Sequence, residues 1–248
     1  MPKVSVTVIT LNESAHIAAA LEAVSWADEI IVVDSFSTDG TADIARRYTD
    51  RVVARDWPGY VDQKNYAASI AQHDWVLSID ADERVTPALR REIRDLLSRE
   101  PAARGYRVPR VTFHLGQWIR TTDWFPDDQL RLYDRRTSKW TGQYVHESVR
   151  VDGPVARLTH ELQHYAYRDI AHHLQTIDRY SSLAARQMHE SGRRVGALGL
   201  IAHPPLAFLR NYLARGGFRQ GTTGLVVSAC NSYYVLAKLA KLWELQRR

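Results

Sequence analysis

The sequence of 248 residues contains a single cysteine, Cys230. One thiol excludes an internal disulfide and a cysteine-rich zinc site, and it fits a reducing cytoplasm. The first residues, MPKVSVTVIT, run directly into a strand pattern without the apolar core or cleavage site of a signal peptide. We therefore expect a cytoplasmic protein.

Long apolar runs are also missing. The stretch GALGLIAHPPLAFL is interrupted by His203, Pro204 and Pro205, and it falls short of the ~18 residues that a membrane span requires. The net charge is +5, so the surface should attract anions such as nucleotide phosphates, nucleic acid or anionic lipid headgroups. Charge alone does not choose among these partners.

Strand and helix patterns alternate over the first hundred residues. Strands are predicted at 4–10, 29–34, 51–54 and 75–80, and helices at 17–24, 41–48, 60–71 and 87–98. This order predicts an α/β fold with a mostly parallel sheet flanked by helices, whose ligands bind at the carboxyl ends of the strands.

The second half of the chain changes character. Short strands are predicted between residues 105 and 164, and helices at about 170–190, after Pro204-Pro205, and at about 225–245. We expect a catalytic domain at 1–168, with a nucleotide-binding part at 1–104 and an acceptor part at 105–168, and a helical C-terminal extension at 169–248.

Acidic and amide side chains follow three of the predicted strands. They are Asn12 and Glu13 after the first strand, Asp34 and Asp39 after the second, and Asp80 and Asp82 after WVLSI. Extended geometry would point Asp80 and Asp82 the same way, and a divalent cation that binds a diphosphate would relieve their repulsion. A lone D-x-D is more often a turn that caps a helix, but three convergent strand ends favour a nucleotide site.

Four motifs extend this pattern: TLNE at 10–13, VVDSFSTDGT at 32–41, QKN at 63–65 and WVLSIDADE at 75–83. With them the sequence resembles the family 2 inverting glycosyltransferases, which have the GT-A fold. The further motifs WADEIIVVD, RLY, VHE and HYAY stand in the order of the lipopolysaccharide-core β-1,4-glucosyltransferase branch. The resemblance covers about residues 3–170.

The resemblance implies roles for individual residues. Asp34 would contact the uracil of a UDP-sugar, Asp82 would bind Mg²⁺ or Mn²⁺, and Asp80 would lie near the ribose or donor sugar. The other residues expected around the nucleotide sugar are Thr10, Asn12, Glu13, Asp39, Lys64 and Asn65. His164 is a candidate to complete the metal site, and His146 is a second histidine to consider.

Inverting transfer also needs a general base and a cation for the leaving diphosphate. The family's usual glutamate-aspartate pair has no literal copy, and WFPDDQLRL occupies a comparable place. The candidate bases are Asp128, Asp127 and Glu147, in that order, although each could equally be a surface acid. Arg131 is the candidate for the leaving group, or else it pairs with Asp127 or Asp128 as part of the structure.

The last 48 residues carry seven Arg and Lys against one Glu, with apolar residues interleaved. This pattern predicts helices that lie on an anionic membrane surface, with packing on the catalytic domain or on a second copy as an equal alternative. A nucleic-acid partner is not expected, because no binding motif accompanies the basic residues.

The sequence thus predicts a metal-dependent transfer of a hexose, with glucose favoured, from a UDP-sugar to a lipid-linked lipopolysaccharide-core saccharide. The open alternatives are a lipid phosphate, protein or other glycan as the acceptor, and a non-catalytic nucleotide-binding or membrane-docking module. A nucleotidyltransferase is disfavoured, because the turn after the first strand reads LNES and lacks a glycine-rich phosphate loop.

Overall fold

The computed structural model describes residues 2–142 and 147–247. The chain divides into two compact units, which are Met1–Arg110 with Asp127–His164, and Val111–Pro126 with Tyr165–Arg248. The expected division into domains at residue 168 stays a prediction.

The strands of the described residues are β1 (Val4–Thr10), β2 (Glu29–Asp34), β3 (Val52–Ala54), β4 (Trp75–Asp80), β5 (Glu83–Val85), β6 (Gly105–His114), β7 (Gln117–Ile119), β8 (Asp127–Asp134), β9 (Ser138–Thr141), β10 (Ser148–Val151), β11 (Val155–Arg157) and β12 (Leu162–His164). The helices are α1 (Ile17–Ala23), α2 (Thr41–Ala45), α3 (Tyr60–Ser69), α4 (Pro87–Leu97), α5 (Ile170–Glu190), α6 (Ala197–Leu209) and α7 (Gly221–Leu245). A short π-helical turn, Arg210–Ala214, follows α6 directly.

The main sheet has the strand order β3-β2-β1-β4-β8-β6-β12-β5. Strand β1 pairs in parallel with β2 and β4, and β8 joins β4 in the antiparallel sense. Thr10 lies opposite Asp34, and Ile9 lies opposite Asp80, so the three parallel strands end at the same level. The loops that follow β1, β2 and β4 therefore leave the sheet at one edge, as the alternation of strands and helices predicts.

The core of the first unit lies on both faces of this sheet. All seven residues of β1 are buried, because the strand is central and covered on both sides. Successive side chains of a strand point to opposite faces of the sheet. Val8 and Leu77 pack with Leu89 of α4, whereas Val33 packs with Ala67 of α3. The buried Val, Ile and Leu of these strands thereby fix the level of the polar loops.

In the second unit, α7 packs against both α5 and α6. The start of α7 passes so close to Gly217 that a Cβ atom on Gly224 would lie 1.8 Å from the Gly217 carbonyl oxygen, so only glycine fits there. Further along the helix, Lys241 Nζ lies 2.6 Å from the Asp178 carboxylate of α5. No helix of the described ranges is both long enough and apolar enough to cross a bilayer.

The prediction of a helix that begins after Pro204-Pro205 is wrong. Helix α6 begins at Ala197 and contains both prolines. Proline removes a backbone donor and usually ends a helix, but packing on a neighbouring helix can outweigh that cost. Here Pro204 is buried, and its carbonyl oxygen accepts a hydrogen bond from Ser232 Oγ of α7 at 2.7 Å.

Candidate functional site

The loops after β1 and β2 are joined by hydrogen bonds. Asn12 accepts from the Thr38 backbone N–H at 2.9 Å, and its own backbone N–H donates to Ser37 Oγ at 2.8 Å. The Glu13 N–H donates to Thr41 Oγ1 at 2.8 Å. The side chain of Asn12 and the backbone of Glu13 thus hold the two loops together at the carboxyl edge of the sheet.

Asp34 ends β2 and opens onto a cavity. Its carboxylate accepts from the Ser37 backbone N–H at 2.9 Å and from Ser37 Oγ at 2.5 Å. The cavity has a volume of about 360 Å³, and its lining includes Asp34, Phe36, Thr38 and Gly40. Thr10, opposite Asp34, is buried at the end of β1.

Asp39 serves the loops rather than the cavity. Its carboxylate accepts from the Ser14 N–H at 2.9 Å and from the Thr41 N–H at 3.0 Å. Burial opposes its ionisation, but these bonds and the Thr41 hydroxyl lower the pKa of Asp39 well below its usual range. The residue orders the turn that leads into α2.

Phe36 is a feature of this cavity that the sequence patterns did not single out. Its side chain is 58% exposed, and its φ is 60°, in the left-handed region that a residue with a Cβ rarely adopts. An aromatic ring held in the open at such a backbone cost is typical of binding sites. The signal in the sequence was a lone aromatic residue inside the polar turn SFSTDG.

A chain of alternating charges runs through the first unit beside the end of β4. In order, its members are Glu147, Lys64, Asp80, Arg131, Glu83, Arg110 and Asp127. Three cations alternate with four carboxylates. Buried charges require such pairing, because an isolated ion loses its hydration without compensation.

Asp80 lies at the middle of this chain. Lys64 Nζ is 3.0 Å from one carboxylate oxygen, and Arg131 Nη2 is 2.7 Å from the other. Burial opposes ionisation of Asp80, but Arg131 and Lys64 outweigh it and hold its pKa far below the ordinary value. Asp80 is therefore anionic and fixed in position.

Arg131 pairs with Asp80 and Glu83, not with Asp127 or Asp128. Its Nη2 lies 2.6 Å from Glu83 Oε1, and its side chain is only 3% exposed. Glu83 is fully buried and also accepts from Arg110 Nη1 at 3.0 Å. Neither Glu83 nor Arg110 was a predicted site residue, although Glu83 is the last acid of the stretch DADE.

Asp82 lies beyond the end of β4, in the turn before β5. The extended geometry expected for Asp80 and Asp82 therefore ends at Asp80, and each carboxylate has its own partner. Asp82 Oδ2 lies 3.3 Å from His164 Nε2. Burial opposes ionisation of Asp82, but His164 more than compensates and lowers the pKa of the carboxyl.

The Asp82–His164 pair suits a divalent cation, since carboxylate oxygens and imidazole nitrogens are both common ligands of divalent first-row metals. Among residues 2–142 and 147–247, no group of three or more His, Cys, Asp or Glu side chains could hold a metal ion. Further ligands would come from a diphosphate or water. His146 lies outside the described residues.

The three predicted bases have different surroundings. Arg157 Nε lies 2.9 Å from Asp128, and Arg110 Nη2 lies 2.7 Å from Asp127. Glu147 has a longer contact, 3.4 Å from Lys64 Nζ, and its side chain is 18% exposed. The structure thus brings Glu147 next to the residues around Asp80, and it places Asp128 in an ion pair with Arg157.

The remaining predicted residues, Lys64 and Asn65, lie on α3. Lys64 is 2% exposed, and its ammonium lies 4.5 Å from the centre of the Trp140 ring. The amide of Asn65 bonds both to the backbone oxygen and to the backbone N–H of Trp140, each at 2.9 Å. Asn65 therefore fixes strand β9 to α3, and Lys64 belongs to the charge chain.

Comparisons with known proteins agree with this architecture. The family model Glycosyl transferase family 2 matches residues 5–151. A lipopolysaccharide core biosynthesis glycosyltransferase, LpsC of Rhizobium meliloti, is 33% identical over 97% of this chain and 92% of its own length. An uncharacterized glycosyltransferase of Rickettsia prowazekii is 32% identical over 99% of this chain and 88% of its own.

Among solved structures, the mannosyltransferase PcManGT of Pyrobaculum calidifontis, in complex with GDP-Man and Mn²⁺, aligns with a TM-score of 0.58 at 16% identity. The alignment covers 98% of this chain and 88% of that protein. This likeness confirms the predicted GT-A fold. The family model and the relatives show that the chain belongs to glycosyl transferase family 2 and is a glycosyltransferase.

Proposed function

We propose that the chain transfers a hexose, with glucose favoured, from a UDP-sugar to a lipid-linked lipopolysaccharide-core saccharide, with inversion at the anomeric carbon. The observation that carries the proposal is that Asp34, at the end of β2 with its cavity, and Asp82, just after β4 and paired with His164 of β12, lie at one edge of the sheet. Only β1 separates β2 from β4, so their ends lie about 10 Å apart, which leaves room for a nucleoside and its diphosphate.

In this proposal Asp34 accepts hydrogen bonds from the uracil, and Phe36 stacks on the base from the open side of the cavity. Asn12, Glu13 and Asp39 hold the loops that shape the cavity. The UDP-sugar and the divalent metal are inferred from the oxygen and nitrogen ligands that the site offers and from the family resemblance. The R. meliloti relative supports the proposed acceptor.

Asp82 and His164 would hold Mg²⁺ or Mn²⁺, which supplies charge neutralisation for the leaving diphosphate. Asp80, held by Lys64 and Arg131, lies at the adjacent strand end and orients the ribose or donor sugar. Arg131 is too deeply buried to meet the diphosphate itself, so we assign it a positioning role.

We propose Glu147 as the general base, ahead of Asp127 and Asp128. Both aspartate carboxylates contact a guanidinium at 2.7–2.9 Å, whereas the contact of Glu147 with Lys64 is longer, at 3.4 Å, so the Glu147 carboxylate is less tightly engaged. In the transfer, the acceptor hydroxyl oxygen bonds to the anomeric carbon, the carbon–oxygen bond to UDP breaks, and Glu147 takes the hydroxyl proton.

The test is a screen of UDP-sugars for UDP release with Mn²⁺, Mg²⁺ and chelator, using deacylated lipopolysaccharide-core saccharides as acceptors. We expect Asp82→Ala to abolish turnover while the protein stays folded. Asp95→Ala, an exposed acid of α4, is the matched control and should keep full activity. Undiminished turnover of Asp82→Ala, or of the wild type in chelator, would reject the metal assignment.

The acceptor is tested separately, with the best donor held constant. A panel that contains the core saccharide, a lipid phosphate, a peptide and an unrelated glycan should yield product with the core saccharide. Transfer to one of the other three instead would replace the acceptor and leave the proposed donor chemistry in place.

A further inference from the structure

The outer face of α6, continued into the π-helical turn that follows it, is apolar and exposed. Leu198 is 80% exposed, Ile201 72%, Leu206 61%, Leu209 48% and Leu213 55%. Spacings of three, five, three and four residues place these side chains on one side of a helix, over a length of about 20 Å. Isolated exposed leucines are ordinary, but a continuous stripe of this kind marks an interaction surface.

The stripe does not result from a loosely packed helix. On the opposite side Pro204, Ala207 and Asn211 are buried. Asn211 Nδ2 donates to the Ala207 carbonyl at 2.9 Å and to the Asp123 carboxylate at 3.0 Å. This side fixes α6 in the second unit, so the apolar stripe is held facing outward.

Cations flank the stripe along the chain. Arg193 and Arg194 precede α6, Arg215 and Arg219 follow it, and all four are exposed. Residues 191–248 contain nine Arg and Lys and a single Glu. Arg210 pairs with Asp123, and Arg215 lies 3.7 Å from the same carboxylate, so one acid serves two of these cations.

The cations are also crowded. Burial lowers the pKa of Lys238 on α7, and the nearby charges of Arg193 and Arg210 lower it further. Neighbouring like charges repel one another, and an anion that binds between them relieves the repulsion.

Helix α7 carries a second apolar stripe. Leu225, Tyr233, Leu236 and Trp243 are between 39% and 48% exposed, and their spacing places them on one side of the helix. The guanidinium of Arg247 lies 4.6 Å from the centre of the Trp243 ring. Tyrosine and tryptophan with an adjacent cation are typical of the boundary between lipid and water.

We propose that the exposed apolar residues of α6 and α7, together with the arginines that flank α6 along the chain, form one surface that docks on a bilayer containing anionic lipids. The apolar stripe of α6 enters the headgroup region with the helix axis along the membrane plane, and the arginines bind lipid phosphates. The proposal goes beyond the transfer reaction and does not depend on its donor or acceptor.

Charge decides against a second copy of the chain as the partner. A symmetric dimer through this face would bring the arginines that flank one stripe against those that flank the other. Like charges across an interface are unfavourable, whereas anionic headgroups complement them. An apolar stripe with a basic margin therefore fits a lipid surface better than it fits itself.

The test is co-sedimentation of the full chain with vesicles of phosphatidylcholine alone or mixed with phosphatidylglycerol. We expect binding to the mixed vesicles only, weakened by salt. Ile201→Ser with Leu209→Ser should weaken binding about tenfold or more, since both substitutions remove apolar surface that the bilayer would bury. Tyr48→Ser with Val155→Ser, exposed apolar residues of the first unit, is the matched control and should bind normally.

A second pair of variants tests the electrostatic contribution to vesicle binding. Arg193→Glu with Arg194→Glu should reduce binding to the mixed vesicles about tenfold or more, since anionic headgroups attract cations and repel the introduced carboxylates. Arg90→Glu with Arg91→Glu changes the net charge equally on exposed positions of α4 and should have little effect.

The proposal would be overturned if the wild type stayed in the supernatant with anionic vesicles, or if the serine variant bound as the wild type does. It would also be overturned if light scattering showed a dimer that the serine substitutions dissociate, with vesicle binding unchanged. Circular dichroism of every variant verifies that the fold is retained. UDP release from the sugar donor, measured with a soluble acceptor, should be unchanged in the serine variant, which separates this proposal from the proposed function.

Discussion

The guanidinium of Arg131 lies 2.7 Å from the Asp80 carboxylate, and both groups belong to the alternating charge chain beside the end of β4. Asp80 is the last residue of β4, and Arg131 lies on the neighbouring antiparallel strand β8. The position of an acid at the edge of the proposed nucleotide site thus depends on a cation that is itself almost inaccessible to solvent.

Removal of Arg131 should destabilise the fold. Arg131→Met leaves Asp80 and the buried Glu83 without a shared cation, and we expect the free energy of unfolding to fall by about 3–5 kcal/mol. Urea denaturation followed by circular dichroism measures this change. Arg91→Met on the exposed side of α4 should change it by less than about 0.5 kcal/mol. Equal effects of the two substitutions would contradict the structural role.

Amide variants of Glu147 and Asp128 distinguish which of the two carboxylates is the general base. If Glu147 is the base, Glu147→Gln should lower kcat about 100- to 10,000-fold with little change in the KM for the donor. Asp128→Asn should retain most activity, because Asp128 is occupied by Arg157. Initial rates of UDP release measure both. The reverse ranking would restore Asp128 as the base.

Phe36 should contribute to nucleotide binding and not to stability. We expect Phe36→Gly to weaken UDP binding in calorimetry by about 5- to 150-fold, since stacking of a base on an aromatic ring contributes about 1–3 kcal/mol. Glycine adopts positive φ without strain, so the thermal midpoint should not fall. The control is Leu115→Gly. Leu115 also has a positive φ, of 49°, but it lies in the second unit, so its replacement should leave UDP binding unchanged. Unaltered UDP affinity of Phe36→Gly would remove Phe36 from the site.

His173 should make stability sensitive to pH. Burial, with smaller contributions from His114 and His172, lowers the pKa of His173 to about 4, whereas an unfolded histidine has a pKa of about 6.5. Between these values the unfolded chain binds more protons, so the free energy of unfolding decreases as pH falls from about 6.5 to about 4. The loss attributable to this residue is up to about 3 kcal/mol.

The measurement for His173 is the pH dependence of chemical unfolding in His173→Phe, whose ring can replace the imidazole that stacks on Tyr167 at 4.2 Å. The variant should lose less stability than the wild type over this pH range. The exposed His189→Phe should keep the wild-type slope. Parallel slopes for all three proteins would show that the buried imidazole does not govern acid sensitivity.

Much of the fold was predictable from local pattern. The strands Val4–Thr10, Glu29–Asp34 and Trp75–Asp80 have the predicted bounds, because buried parallel strands are runs of apolar and β-branched residues. The predicted long helix at about 170–190 is α5, Ile170–Glu190. Helix α6 was misplaced, because the cost of two prolines is visible in the sequence and the packing that offsets it is not.

The residues of the candidate site were likewise predictable only in part. The sequence indicated Asp34, Asp80 and Asp82 as neighbours, since parallel strands carry their ends to one edge. It did not indicate Glu83, Arg110 or Phe36. Whether Arg131 meets Asp80 or Asp128 depends on which strand lies beside β8, and that pairing joins residues about fifty positions apart.

The sequence by itself determined the family, the order of strands and helices, and the edge of the sheet that receives polar side chains, since these follow from local patterns and short motifs. Only the tertiary structure decided which buried charges pair and which face of α6 remains exposed. Burial, ion pairing and exposure depend on neighbours brought together by the fold, and spacing along the chain does not encode those distances.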